Sequence, residues 1–195
     1  AGQLMAVIAR QNSQKGIYQN LEVLPELMKT DIQIAVLGTG DAPLEKKLRE
    51  FADQTPTRIA FRNAFDERLA HRIEGGADMF LMPSRYEPCG LSQLYSLRYG
   101  AVPIVRKTGG LADTVTTYTP ISAREGRATG FAFSDSSAES LLTSVLLAQA
   151  VFANKPVWLR LVKTGMLQDL SWSRSARKYL DLFGVALTLP RQQGK

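Results

Sequence analysis

The chain has 195 residues, of which 45% are hydrophobic and 22% charged, with a formal net charge of +6 and a single cysteine. These values are typical of a globular domain, and the single cysteine excludes an internal disulfide framework. No apolar run approaches the roughly 20 residues of a membrane-spanning helix, and the basic residues form no dense tract. We therefore expect neither a membrane nor a nucleic acid as partner. The chain lacks the basic start of a signal peptide and opens directly in a strand, which favours an excised domain.

Short apolar runs that predict buried strands alternate with segments whose apolar residues recur at helical spacing. The predicted strands comprise residues 4–9, 32–37, 58–61, 79–82, 103–105 and 131–133. The predicted helices begin near residues 17, 44, 67, 91, 138, 157 and 173. This alternation favours an α/β fold, a Rossmann-like parallel sheet with helices on both faces. We expect one domain over residues 1–186 and a flexible polar tail over residues 187–195.

The segment Ser84–Gln93 joins the predicted strand 79–82 to the following helix through a tight turn. It contains one carboxylate, Glu87, and then Gly90, whose missing side chain lets backbone N–H groups approach a ligand. The start of the helix adds free N–H donors, which suit phosphate or sugar oxygens. Because ligands bind at the carboxyl ends of strands in such sheets, a polar-ligand site is one interpretation. A plain strand-to-helix connection, with Glu87 a solvated acid, is the other.

Two cations, Arg10 and Lys15, flank the polar loop after the first predicted strand. Their spacing allows both to bind one diphosphate, arginine through a planar fork and lysine as a point charge. Two unrelated surface cations are the alternative. The turn Gly38–Asp41 lacks the third glycine of a dinucleotide fingerprint, so we interpret it as structural.

Three other residues have a structural interpretation when taken alone. His71, the only histidine, lies in a helical segment and is interpreted as structural. Cys89 has no apparent histidine partner, so we interpret it as a small packing residue rather than a nucleophile. Phe65 is expected in the core, as a lone phenylalanine usually is. The sequence shows no metal-ligand cluster, and no metal is expected.

Three blocks of the sequence resemble one enzyme family. They are Ser84–Leu91 (Ser-Arg-Tyr-Glu-Pro-Cys-Gly-Leu), Tyr99–Val105 and Thr108–Val115, and they occur in the family's order. The chain resembles the C-terminal half of bacterial glycogen synthases and plant starch synthases. This resemblance implies the second of two Rossmann-like domains in an enzyme that transfers glucose from ADP-glucose to an α-1,4-glucan with retention. It also implies a last helix that crosses back toward the N-terminal domain, so its apolar residues are expected to be partly exposed.

The resemblance implies roles for individual residues. Glu87 is expected to contact the donor glucose hydroxyls, and Arg10 and Lys15 to neutralise the distal phosphate of the departing ADP, which is catalysis through leaving-group charge. Phe65 occupies the position of a tyrosine that stacks on adenine. The other residues implied to bind the donor sugar or phosphate are Cys89, Gly90, Leu91, Ser92, Thr108, Gly109 and Gly110.

The same resemblance sets the expected ligands of the chain. ADP-glucose and ADP are the expected donor ligands, with no cofactor and no metal. The α-1,4-glucan acceptor is expected to bind through an N-terminal domain that this chain does not contain. The bacterial cytoplasm or a plastid stroma is the expected location. We expect this chain alone to bind nucleotide without elongating glucan. A stand-alone nucleotide- or glucan-binding module and a UDP-sugar transferase domain are the alternatives.

Overall fold

The computed structural model of the protein describes residues 2–188. Its centre is one sheet of six parallel strands in the order β3-β2-β1-β4-β5-β6. The order reverses direction between β1 and β4, which creates the crevice where ligands bind in open α/β sheets. The predicted Rossmann-like α/β class is confirmed. The strands are β1 (Gln3–Ile8), β2 (Ile32–Leu37), β3 (Ile59–Arg62), β4 (Met79–Met82), β5 (Val102–Arg106) and β6 (Phe131–Phe133).

Helices follow each strand, and two of them are short. One was predicted to begin after the loop Thr108–Leu111, but it begins earlier and has Gly109 and Gly110 as its first residues. The other was not predicted from the sequence and begins after Thr119, whose side chain exchanges capping hydrogen bonds with Ser122. The helices are α1 (Ile17–Leu27), α2 (Ala42–Gln54), α3 (Glu67–Gly76), α4 (Ser92–Tyr99), α5 (Gly109–Thr114), α6 (Pro120–Arg124), α7 (Ala138–Ala153), α8 (Lys155–Met166) and α9 (Trp172–Thr188).

The sheet is covered by an apolar core on each face, as predicted. The larger core packs alternate strand residues against α1, α2, α7 and α8, and it includes the stacked rings of Phe131 and Trp158, 6.3 Å apart. The smaller core, on the other face, includes Phe80, Val105 and Leu111. Both faces of a parallel strand are therefore buried, which explains why these strands read as continuous apolar runs.

The last helix, α9, contains no buried residue. Tyr179, Leu180 and Phe183 are 56%, 67% and 58% exposed, so the expected exposure of this helix is confirmed. The helix continues to Thr188, and the predicted boundary at residue 186 therefore falls inside it. The rest of the predicted tail, residues 189–195, lies outside the described residues.

None of the helices within residues 2–188 is by itself long and apolar enough to cross a membrane. The pair α7 and α8 would suffice together in length and composition, but the two helices are bent by 111°. In the structure, α7 buries Leu141, Val145 and Ala148 in the larger core.

Candidate active site

The loops after β1 and β4 lie side by side at the carboxyl edge of the sheet. The Arg85 N–H donates to the Gln14 carbonyl at 2.7 Å, which ties the two loops together. Gly16, with a φ of +73°, lies against the carbonyl of Pro83, and a Cβ there would be 2.2 Å from that oxygen. Only glycine accepts both this conformation and this approach without strain. The contact brings Lys15 next to the turn that carries Glu87.

Lys15 and Glu87 form an ion pair between these loops. Their side chains are only 19% and 10% exposed, so the pair is largely withdrawn from water. The Ser84 hydroxyl donates to the same carboxylate oxygen, Oε2, at 3.3 Å. Glu87 is therefore held in a fixed position by two partners, and its interpretation as a solvated loop acid is wrong.

The two glycines at the start of α5 pack against the backbone of the turn that carries Glu87. The Gly110 N–H donates to the Glu87 carbonyl at 3.0 Å. A Cβ on Gly109 would lie 2.2 Å from the Glu87 carbonyl oxygen, and one on Gly110 would lie 1.9 Å from that of Cys89. The predicted residues Thr108, Gly109 and Gly110 are thus brought to the turn, where the two glycines allow direct contact between backbones.

The turn leads into α4, whose first residue is Ser92. The residue before it, Leu91, offers no side-chain cap, so the first N–H groups of the helix stay available to a ligand. Gly90 has a φ of +70°, which favours glycine at this position. Cys89 is exposed, so its interpretation as a packing residue is wrong. Within residues 2–188 its sulfur has no hydrogen-bond partner.

The predicted cations and the predicted aromatic residue line one cleft. A cavity of about 190 Å³ is bounded by Arg10, Lys15, Ser84 and Ser92. A second cavity of about 400 Å³ adjoins it, shares Arg10 and Ser92, and extends to Phe65. Phe65 is 95% exposed, so its placement in the core is wrong. The cleft thus has Arg10 and Lys15 along its wall, with the Glu87 carboxylate bound to Lys15, and an exposed aromatic ring at its far end.

The turn Gly38–Asp41 packs against the loop that carries Arg10, and two of its residues, Gly38 and Thr39, also line the larger cavity. A Cβ on Gly38 would lie 1.9 Å from the Ala9 carbonyl oxygen, and one on Gly40 would lie 2.2 Å from that of Gln11. The Asp41 N–H donates to the Gln11 carbonyl at 2.7 Å. The two glycines therefore allow this turn to lie directly against the loop after β1 that carries Arg10.

Three titratable side chains of α3 also line the larger cavity, namely Glu67, His71 and Glu74. The ring nitrogen Nδ1 of His71 lies 3.2 Å from Oε2 of Glu74, and the ring contacts Tyr95 and Tyr99. Glu74 is 3% exposed. Burial raises the pKa of Glu74, and the hydrogen bond and charge of His71 offset part of this rise. His71 has packing partners, as its structural interpretation predicted, although it also borders the cleft.

Replacing Glu74 with glutamine should stabilise the protein above neutral pH and leave it unchanged near pH 4. The buried carboxyl is favourable when protonated, and its contribution is lost as the pH rises through its raised pKa. We expect Glu74→Gln to raise the melting temperature at pH 8 by about 2–4 °C, or roughly 1 kcal/mol. The control is Glu22→Gln, at an exposed position of α1. A gain from Glu74→Gln that is equal at both pH values would contradict the expectation.

Several residues that shape this site were not predicted from the sequence. Ser84 holds Glu87, and the Arg106 guanidinium donates to the Ser84 carbonyl at 2.9 Å and also to that of Arg85. Gln93 is completely buried under the turn. The pattern of polar and apolar residues along the sequence did not indicate that Ser84, Arg106 or Gln93 shapes the site. No group of three His, Cys, Asp or Glu side chains within residues 2–188 is placed to hold a metal ion.

The sequence and the fold match those of known glycosyltransferases. Residues 2–148 match the family described as "Glycosyl transferases group 1". The glycogen synthase of Hydrogenovibrio crunogenus is 50% identical over 181 residues, 92% of this chain and 37% of that protein. Glycogen synthase 2 of Nitrosococcus oceani is 47% identical over 180 residues, with the same coverage.

A solved structure matches as well. The catalytic domain of starch synthase IV from Arabidopsis thaliana, bound to ADP and acarbose, superposes with a TM-score of 0.85 and 29% identity. The match covers 96% of this chain and 39% of that one. This chain therefore spans well under half the length of the relatives it matches, and its fold is that of the C-terminal half of a two-domain glycosyltransferase. Since the family match covers more than half of its residues, the chain belongs to the group 1 glycosyltransferases.

Proposed function

We propose that this chain is the donor-binding domain of a glucosyltransferase that uses ADP-glucose to extend an α-1,4-glucan. The observation that carries the proposal is that Arg10 and Lys15 line one cleft at the point where the strand order reverses, and that Lys15 is paired there with the Glu87 carboxylate. The identity of about half to glycogen synthases supports glucan synthesis. The ADP in the starch synthase IV structure supports adenine as the base.

The cleft offers a place for each part of the donor. The exposed ring of Phe65 can stack on the base, and Arg10 lies between it and Lys15, where the diphosphate would run. Lys15 has three N–H donors, so it can keep Glu87 and still bind a phosphate oxygen. Both cations would stabilise the negative charge that develops on ADP as it leaves.

Glu87 is proposed to position the glucose rather than to attack it. Its carboxylate is bonded to Lys15 and Ser84, which fixes an acceptor group for sugar hydroxyls. The α-1,4-glucan acceptor and the rest of the catalytic apparatus are proposed to lie in an N-terminal half such as the relatives have. The chain alone is therefore expected to bind nucleotide and not to elongate glucan. No cofactor or metal is proposed.

Calorimetric titration with ADP, ADP-glucose and UDP-glucose tests the proposal. We expect Arg10→Ala to weaken ADP binding about tenfold, or roughly 1.4 kcal/mol, because one charge-assisted contact to phosphate is lost. Arg49→Ala is the matched control, since Arg49 is an exposed arginine of α2 that lines neither cavity. Equal losses in the two variants would contradict the assignment of Arg10 to the phosphate.

The same titrations separate the alternatives. A preference for UDP-glucose would favour a UDP-sugar transferase, and binding of α-1,4-glucan without nucleotide would favour a glucan-binding module. Glucan synthesis is then measured with the chain alone and with the chain fused behind the N-terminal half of the Hydrogenovibrio crunogenus enzyme. Synthesis by the fusion only is the expected result. Robust synthesis by the chain alone would refute the proposal that glucan elongation requires the N-terminal half.

A further inference from the structure

The side chain of Gln93, the second residue of α4, is completely buried directly behind the turn 89–91. Its amide nitrogen Nε2 donates to the carbonyl of Cys89 at 3.2 Å and to that of Gly90 at 3.0 Å. One side chain therefore holds two consecutive peptide groups of the turn. Glutamine is seldom fully buried, so this placement needs a reason beyond packing.

The two bonds fix the direction of the neighbouring N–H groups. In a trans peptide the C=O and the following N–H point in opposite directions, and no peptide bond among the described residues is cis. Since the carbonyls of Cys89 and Gly90 point at Gln93, the N–H groups of Gly90 and Leu91 point away from it. Neither of these N–H groups donates a hydrogen bond within residues 2–188. Two adjacent donors are thus held outward beside Glu87 without a protein partner.

The same carboxamide connects the turn to α5. Nε2 also lies 3.2 Å from the hydroxyl of Thr114, which in turn donates to the Gly110 carbonyl at 2.6 Å. The Gly110 N–H donates back to the Glu87 carbonyl. Gln93 therefore stands at the centre of a network that joins both glycine-containing segments of the site.

Gln93 and Gly90 also fit each other tightly. The oxygen Oε1 of Gln93 is buried without a hydrogen-bond partner, and a Cβ on Gly90 would lie 2.3 Å from it. A buried acceptor without a partner is costly. The orientation of the carboxamide is therefore set by the contacts of Nε2 with the carbonyls of Cys89 and Gly90 and with Thr114, and Oε1 stays without a partner as a result.

We infer that Gln93 is a positioning residue that holds the N–H groups of Gly90 and Leu91 outward, ready for the sugar and phosphate oxygens of the donor. The inference rests on the proposed function for the identity of the ligand. The rigid turn itself does not depend on that function. It follows that Gln93 acts through the backbone and has no direct contact with the donor.

The first test needs no ligand. The backbone ¹⁵N relaxation and amide exchange of Gly90 and Leu91 are measured in the wild type and in Gln93→Met, which keeps the volume and removes the donor. We expect both amides to become mobile in Gln93→Met, with order parameters falling from about 0.85 toward 0.6. The control is Ser96→Ala, which removes an equally buried hydrogen bond on α4, from Ser96 to the Gln93 carbonyl at 3.0 Å. Unchanged amides in Gln93→Met, or equal mobility in both variants, would overturn the inference.

The second test measures affinity for ADP and ADP-glucose in the same variants. We expect Gln93→Met to weaken ADP-glucose binding roughly tenfold, and ADP binding less, while Ser96→Ala leaves both unchanged. Thr114→Val removes one of the three contacts of the Gln93 amide, and we expect it to weaken ADP-glucose binding by about half as much as Gln93→Met on a logarithmic scale. If Gln93→Met fails to fold, the affinity of Thr114→Val serves as the test. A wild type with a rigid turn and no ADP affinity would count against the proposed function, and the relaxation measurement would still decide the role of Gln93.

Discussion

Replacing Gly110 with alanine is expected to lower the free energy of unfolding by about 3 kcal/mol and to abolish binding of ADP-glucose. The added Cβ would lie 1.9 Å from the Cys89 carbonyl oxygen and 2.7 Å from its Cα, and all three nearest atoms are backbone. Backbone cannot give way as the end of a side chain can. The turn from Glu87 to Cys89 would have to move away from α5, which breaks the bond from the Gly110 N–H to Glu87.

Chemical denaturation followed by titration with ADP-glucose measures both effects of Gly110→Ala. The matched control is Gly76→Ala at the end of α3, where an added Cβ meets nothing within 4 Å. This control should be neutral or stabilising by up to about 1 kcal/mol, because alanine restricts the unfolded chain and favours the helix. Wild-type stability in Gly110→Ala would show that the two segments do not lie as close as described.

Removing either member of the Lys15–Glu87 pair should destabilise the protein by about 2 kcal/mol, and removing both should cost less than the sum. Each single replacement leaves the other charge in a largely buried position without its partner. We expect a coupling of about 1–2 kcal/mol between Lys15→Met and Glu87→Gln in a double-mutant cycle by denaturation. ADP should reduce the penalty of Glu87→Gln, because its phosphate provides Lys15 with a new partner.

The surface pair Lys46 and Glu50 on α2 provides the comparison for this cycle. Its charged atoms are 3.9 Å apart and its side chains are 79% and 54% exposed. A pair of this kind is expected to couple by no more than about 0.5 kcal/mol. Equal coupling in the two cycles, or additive effects at Lys15 and Glu87, would refute the view that burial makes the site pair strong.

The sequence predicted the sheet well because its strands are buried on both faces. The strand Met79–Met82 was predicted with its observed bounds, since the apolar run ends at Pro83. In α4 the apolar periodicity was misleading. Leu91 and Tyr95 are 57% and 45% exposed, whereas Gln93 is fully buried. Apolar periodicity identifies the buried face of a helix only where that face packs against apolar side chains. The face of α4 that carries Gln93 packs instead against the polar peptide groups of the turn.

The sequence indicated candidate site residues one by one but not the contacts between them. Glu87, Arg10 and Lys15 were selected from their loops and from the family resemblance. Their pairing was not visible, because Lys15 and Glu87 are 72 positions apart and meet only through the register of β1 on β4. Cys89 was misplaced for a related reason. Its small apolar side chain suggests packing, but the glycines of α5 fill the space behind it with backbone.

The central position of β1 links the assembly of the site to the order in which the chain folds. Among the six strands of this sheet β1 comes first along the chain, and it pairs with β4 across two intervening helix–strand units. Closing such a long loop early is entropically unfavourable, and parallel pairings of this kind form slowly. The loop after β1, which carries Arg10 and Lys15, and the turn after β4, which carries Glu87, are therefore expected to meet late during folding. The proposed nucleotide binding therefore requires a completed β1–β4 pairing, and partly folded chains are expected not to bind nucleotide.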